Sequence, residues 1–213
     1  MNRSLIEQAV GSPHPDGWVS EMSSAKLVRP PTRPDSLPGD GRQAAVVVLI
    51  YPTVDRNVLE TVLTRRKDTL QHHPGQISLP GGRVDEGETL EQAARREAEE
   101  EIGIDRNEIE ILGTLNPVWV PPSDFTVTPF VGWLSKEPVF EIQVDEVAEL
   151  IQVPVARLLD PSIRQFSSVR SDSKERSVPW FSVADHQVWG ATAIILDDFS
   201  QRLRRVQEST GRK

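Results

Sequence analysis

The chain has no cysteine among its 213 residues. Disulfides and thiolate metal sites are therefore excluded, and a reducing compartment is compatible. It also lacks any apolar run near the roughly 18 residues that span a bilayer. The first twenty residues lack the apolar stretch and small-residue cleavage site of a secretory leader, so none is expected. Positive charge is scarce: 24 Lys and Arg stand against 32 Asp and Glu, a net charge of −8. That balance disfavours a nucleic acid or an anionic membrane as partner, and the expected location is cytoplasmic. An acidic protein that handles phosphate compounds needs divalent cations to bridge the like charges.

What is present is ordinary for a globular chain, with 37% hydrophobic and 26% charged residues and length enough for one large domain. The proline-rich residues 11–41 read as an extended arm, preceded by a short helix near Ser4–Ala9. "AAVVVLI" (Ala44–Ile50) suits a buried strand, with Val58–Arg66 as its partner. A long loop with a short strand at Gln76–Leu79 then leads to a helix over Thr89–Ile102, ended by Gly103. Strands follow within 108–120 and 125–134, then a helix or strand over 146–153 and a short helix starting near Pro154. A polar connecting segment over 167–177, two short strands and an amphipathic C-terminal helix complete the chain. This irregular alternation, without internal repeats, predicts an α/β sandwich on a mixed sheet. The expected organisation is an N-terminal arm over 1–41, one domain over 42–206 and a tail over 207–213.

The helix over 89–102 concentrates acidic charge: six glutamates lie between Glu88 and Glu101, with Glu99, Glu100 and Glu101 consecutive. At about 100° per residue, Leu90, Ala94, Ala98 and Ile102 form an apolar stripe that must face a core. Glu97 and Glu101, four apart, sit one above the other on the shoulder of that stripe. Glu100 flanks them, and Glu99 points elsewhere. For an arbitrary run of glutamates a solvated face is the ordinary explanation. Here the like charges are stacked, partly buried and placed at the wrong end of the helix dipole, and each of those terms is unfavourable. A divalent cation reverses all of them, and an oxygen-rich donor set suits Mg²⁺ or Mn²⁺.

The stretch from Gly82 to Ile104 resembles the Nudix box. Gly82 is followed by five residues to Glu88, then seven to Arg96, and the run continues Glu97-Ala98-Glu99-Glu100-Glu101-Ile102-Gly103-Ile104. Every fixed position is filled, with Ala98 a small occupant of an aliphatic slot. The resemblance implies a Nudix-type α/β/α sandwich whose loop–helix–loop holds Mg²⁺ or Mn²⁺ against a diphosphate. It implies Glu97, Glu100 and Glu101 as metal ligands, Arg96 as the residue that orients the glutamates, and Glu88 as a supporting carboxylate. Gly82, beside Gly81, is where the loop backbone nears helix and ligand. The base that takes the water's proton is expected to be Glu97 or Glu100. Glu146 is the candidate from outside the box, and reads equally well as a surface carboxylate at a helix start.

Upstream, Leu63, Thr64, Arg66, Gly75, Pro80, Gly81 and Gly82 resemble, with spacing intact, the motif of the coenzyme A pyrophosphatase subgroup. Val62, Lys67, Gln71 and Leu79 depart from it. The lost positive charge at Gln71 bears most on phosphate binding, and Lys67 or His72 are candidates to replace it. The implied reaction is hydrolysis of coenzyme A or acyl-coenzyme A to 3′,5′-ADP and (acyl-)4′-phosphopantetheine, with Arg66 as a phosphate contact. Competing substrates are ADP-ribose, dinucleotides and nucleoside triphosphates. The competing class is a non-catalytic nucleotide-sensing module, which the complete set of glutamates argues against. His72 and His73 read as loop packing. Trp119, Trp133 and Trp189 are able to stack on adenine, although burial is the better reading of each. The expected partner is a small nucleotide-diphosphate substrate, and a homodimer is allowed.

Overall fold

The computed structural model describes residues 1–12, 33, 35, 40–55, 57–70, 73–171 and 174–210, with backbone alone for 168–171 and 174–179. Gln71, His72 and most of the proline-rich arm lie outside the described residues. The elements run α1 (Arg3–Gly11), β1 (Arg42–Pro52), β2 (Leu59–Arg66), β3 (Ile77–Ser78), β4 (Gly81–Arg83), α2 (Leu90–Ile102), β5 (Glu110–Thr114), β6 (Val118–Val120), β7 (Phe125–Trp133), β8 (Val147–Pro154), β9 (Arg164–Ser171), β10 (Lys174–Val183), β11 (His186–Trp189) and α3 (Gly190–Thr210).

Strand β1 is apolar along its length because both of its faces are covered. Side chains alternate across a strand, so Val47, Leu49 and Tyr51 meet Ala98 and Ile102 of α2 on one face. On the other, Val48 and Ile50 join Ile6, Ala9 and Val10 of α1 and Leu196, Phe199 and Leu203 of α3. The result is an α/β/α sandwich. Its sheet is mixed: β1 runs parallel to β7 and antiparallel to β2 and β4, and β8 lies along β2. A second, three-stranded antiparallel sheet has the order β11-β10-β9.

Residues 147–154, read as helix or strand, form β8, and the short helix expected near Pro154 is a 3-10 helix over Val155–Leu159. Two other segments differ from expectation. Residues 167–171 and 174–177, read as a polar connecting segment, pair antiparallel in β9 and β10, with Ser171 opposite Lys174. Their polarity is no bar, because the ladder is made by backbone groups whatever the side chains are. Helix α1, assigned to the arm, is packed into the main core through Ile6 and Ala9, both fully buried. Arg3 fastens it further, with a bidentate pair to Glu110 at 2.6 and 2.9 Å and its guanidinium 5.6 Å from the Trp133 ring centroid.

A buried ion pair ties α3 to its surroundings. Arg202 donates to Asp198 through Nε at 2.7 Å and to the Val10 carbonyl at 3.3 Å. Asp198 also accepts the Asn116 amide at 2.8 Å. Both side chains are about 2% exposed. Removing one partner leaves the other charge buried, at a cost of about 3–5 kcal/mol. Arg202→Ala is therefore expected to lower Tm by roughly 10 °C, as measured by thermal unfolding. A change within a degree or two contradicts the tie.

A candidate metal-dependent active site

Helix α2 is held in register at both ends. Thr89 accepts from the Gln92 amide at 3.2 Å while the Gln92 side chain accepts from the Thr89 amide at 2.8 Å, a reciprocal cap. Gly103, left-handed at φ 72°, closes the C-terminus with its N–H on the Glu99 carbonyl. Between them, buried Ala93, Ala94 and Ala98 let the helix lie close on β1, and its polar side turns toward the β4 loop.

Arg96 gathers the acidic groups. Its Nε and Nη2 donate to both oxygens of Glu88, at 2.9 and 3.1 Å. Its Nη1 donates to Glu97 at 2.9 Å and to Glu100 at 3.0 Å. Nη2 also reaches the Arg83 carbonyl at 3.0 Å. These bonds hold the Glu88 carboxyl below its ordinary range and stabilise the guanidinium as a cation.

Glu101 sits deeper than helix geometry alone indicates, at 4% exposure rather than on an open shoulder. The cause is the segment 141–146, which crosses the helix end: Glu141 and Gln143 donate their amides to the Ile102 and Glu101 carbonyls at 3.1 and 2.9 Å. Glu101 accepts the Gly81 amide at 3.2 Å, and Arg66 Nη1 lies 3.8 Å from it. Burial dominates and pushes the Glu101 carboxyl up to about 8, with Glu97 and Glu146 adding to the rise and Gly81 and Arg66 opposing it. Glu97 is raised as well, by burial first, against its bond to Arg96.

The two glycines of the loop leave room for these contacts. A Cβ on Gly82 would fall 2.4 Å from Glu97 Oε1. At Gly81, with φ +149°, it would fall 2.3 Å from the Ala45 carbonyl oxygen. A bulge in the β2–β8 pairing between Arg65 and Arg66 marks where β2 delivers Arg66 to Glu101, as bulges re-aim side chains. A buried Glu101 beside the partly buried Glu97, an arginine clamp and a glycine-lined approach thus meet at one place.

A family model of the NUDIX domain matches residues 41–169. The chain belongs to the Nudix family. It is 31% identical over 187 residues to the Nudix hydrolase NudL of Photorhabdus laumondii, covering 87% of this chain and 98% of that one. It is 35% identical over 184 residues to NudL of Cronobacter sakazakii, covering 85% and 92%. With Nudix hydrolase 3 of Caenorhabditis elegans it shares 34% over 173 residues, covering 74% and 72%. Among solved structures, the MutT protein of Methanosarcina mazei Go1 superposes with a TM-score of 0.50 at 18% identity, over 81% of this chain and 99% of that one. That likeness concerns the fold. Among the described residues no helix is long and apolar enough to cross a membrane.

Nudix hydrolases work with divalent metals, and the donor set here suits one. Glu97 and Glu101 are carboxylates in a place that raises their proton affinity, and hard cations favour such oxygens. Among the described residues no three acidic or histidine side chains already converge into a cage. Glu97 and Glu100 both accept from Arg96. Glu100 is the most open of the three, with 54% of its side chain exposed.

The remaining residues fall in different places. Glu91 and Glu99, the helix glutamates outside the cluster, are surface groups open to solvent that pair with Arg95 and Arg106. Glu146 lies near enough to raise both Glu97 and Glu101, and its carbonyl accepts the Lys67 amide at 2.9 Å. Trp133 is a core residue at 9% exposure, Trp189 is 48% exposed, and the Trp119 indole donates to Asp124 at 3.0 Å. His73 occupies a turn at φ 56°. A network that the sequence does not announce runs from Asp68 through Arg65 and Glu149 to His186, at 3.1, 3.5 and 3.4 Å. Arg65 and Asp68 are three residues apart, but Glu149 and His186 come from distant segments, so no local spacing signals the whole chain of contacts.

Proposed function

We propose that this Nudix hydrolase cleaves the diphosphate of coenzyme A or acyl-coenzyme A to 3′,5′-ADP and (acyl-)4′-phosphopantetheine. The observation that carries the reading is the junction of Arg66 with Glu101 and of Glu101 with Gly81. Through it, the upstream stretch that resembles the coenzyme A subgroup motif and the box act on one substrate. Glu97, Glu100 and Glu101 would hold Mg²⁺ or Mn²⁺, which supplies charge neutralisation and acidifies the attacking water. Arg66 contacts a phosphate oxygen, and Gly81 and Gly82 allow the diphosphate close to the backbone. Glu97 or Glu100 takes the water's proton, with Glu146 a third candidate. As the water oxygen bonds to phosphorus, the bridging P–O bond breaks and two phosphomonoesters leave. Arg96 and Glu88 position the glutamates.

The same reading takes 1–41 as an N-terminal arm whose helix α1 docks into the core of the catalytic domain over 42–206, with 207–213 as a tail, in a cytoplasmic enzyme with no nucleic-acid or membrane partner. A homodimer is compatible with it. The test is a panel of coenzyme A, acyl-coenzyme A, ADP-ribose, NADH and dinucleoside polyphosphates, assayed with Mg²⁺ and with Mn²⁺. The highest kcat/KM is expected for coenzyme A or its acyl forms. Preference for ADP-ribose sinks the coenzyme A assignment and spares the metal site.

A further inference from the structure

Two arginines beside the site are left unused by the reaction above. Cross-strand partners carry their side chains on the same face of a sheet, and the register aligns Arg83, Ala44 and Val127 across β4, β1 and β7. Arg42 and Phe125 form the next row toward the strand ends, and Gly81, Val46 and Pro129 the row on the other side. This is the face that carries α3, because Val48 and Val131 farther along it belong to the core cluster shared with that helix. A row of side chains therefore runs along the face opposite α2, from Arg42 at the rim to Gly81 on the edge strand β4, and meets the carboxylates around that edge, where the Gly81 amide donates to Glu101. Its floor is low and apolar: Ala44 is buried, and Val46 and Val127 are partly buried.

The rim is cationic. The Arg42 guanidinium lies 5.6 Å from the Phe125 ring centroid. Arg83 is anchored from behind, since its carbonyl accepts from Arg96, so its place is tied to that of the carboxylate cluster. In a chain of net charge −8, both side chains are exposed, and among the described residues no ion pair joins either to a carboxylate; Asp124, the acidic neighbour whose carboxyl Arg33 holds low with help from Arg42, gives its oxygens to Arg33 and Trp119. Arg65, Arg66, Arg95 and Arg96, around the same site, each have such a pair. The two Cα positions are one strand and two residues apart, roughly 8 Å, so both guanidiniums can close on a single dianion.

Two exposed cations on one face of the sheet, around the β4 edge from a diphosphate site, suit a second phosphate carried by the nucleoside half of the substrate. We propose that Arg42 and Arg83 form a subsite for a phosphomonoester on the substrate's ribose, with Phe125 and Val127 beneath the nucleoside. The pair then selects a 3′-phosphorylated nucleotide over its dephosphorylated counterpart, and this rests on the coenzyme A reading. Bidentate guanidinium contacts to a dianion are among the stronger charge-assisted bonds.

Calorimetric titration of the full chain with adenosine 3′,5′-bisphosphate and with AMP reads the subsite without turnover. The bisphosphate is expected to bind about tenfold or more tightly. Arg42→Gln with Arg83→Gln abolishes that preference, whereas Arg42→Lys with Arg83→Lys retains part of it. Equal binding of the two nucleotides to the wild type, or an undiminished preference in the glutamine variant, overturns the subsite. Turnover of coenzyme A against dephospho-coenzyme A separates the two ways of failing. Equal kcat/KM for both leaves the coenzyme A reading standing and overturns the subsite. Cleavage of neither, with ADP-ribose cleaved, overturns both.

Discussion

Glu101→Gln is expected to reduce turnover on the order of 10³-fold, as the loss of one preorganised charge-stabilising group does elsewhere, and to leave the protein folded. The amide has the shape of the carboxyl and can still accept the Gly81 amide proton. It cannot supply the negative charge that a divalent cation needs. The same substitution alters how the metal-free protein responds to pH. In the folded state Glu101 keeps its proton up to about pH 8, against an ordinary value of 4.5. Between those values the folded protein holds a proton that the unfolded chain releases, so stability falls as pH rises through that window. Below pH 4.5 both states are protonated and this residue contributes no slope. Chemical denaturation of the metal-free protein at several pH values should show a shallower decline for Glu101→Gln than for wild type. An unchanged rate together with an unchanged pH slope contradicts the role given to this carboxyl.

The second large effect separates two adjacent glycines. In Gly81→Ala the new methyl meets backbone, the Ala45 carbonyl oxygen at 2.3 Å and the Val46 Cα at 2.5 Å, in a conformation at φ +149° that side chains rarely adopt. Neither can yield without moving β1, and a loss of about 3–5 kcal/mol is expected. In Gly82→Ala the methyl meets only the far end of Glu97, at 2.4 to 2.8 Å. A carboxylate can rotate away, so stability should change little. The displaced Glu97 is then out of position, and activity should fall on the order of 10²-fold, as for an ångström-scale misplacement of a catalytic group. Paired thermal-unfolding and rate measurements check the contrast. Equal stability losses in the two variants would falsify it.

Which parts of this were legible follows from how local their causes are. The strand at 44–50 and the helix over 89–102 with its Thr89 and Gly103 ends rest on periodicity and caps, which are written in short stretches, whereas the α/β/α layering is implied by the resemblance of the Gly82–Ile104 stretch to the Nudix box. The meeting of Arg96 with Glu97, Glu100 and Glu88 is also near-local, since helix spacing and one short loop decide it. The depth of Glu101 is not legible: it depends on residues 141–146 crossing the helix end, about forty positions later. Glu91 and Glu99 are open to solvent as their helix positions indicate, and Glu91 also pairs with Arg95 at i,i+4, a spacing the sequence displays. The hairpin of β9 and β10 is hidden for another reason. Its ladder uses backbone groups that every sequence possesses, and polar composition there masks the pattern that marks a half-buried strand.

The most direct test of the central claim is a Mn²⁺ titration by calorimetry near pH 7, in two buffers of different ionisation enthalpy. If the buried Glu101 carboxyl is protonated in the metal-free enzyme and becomes a ligand, binding must release its proton. Wild type is expected to bind Mn²⁺ with release approaching one proton, and Glu101→Gln to bind more weakly with that release gone. Equal affinity and equal proton release in the two proteins would mean that the metal sits elsewhere, and the assignment of Glu101 would be wrong.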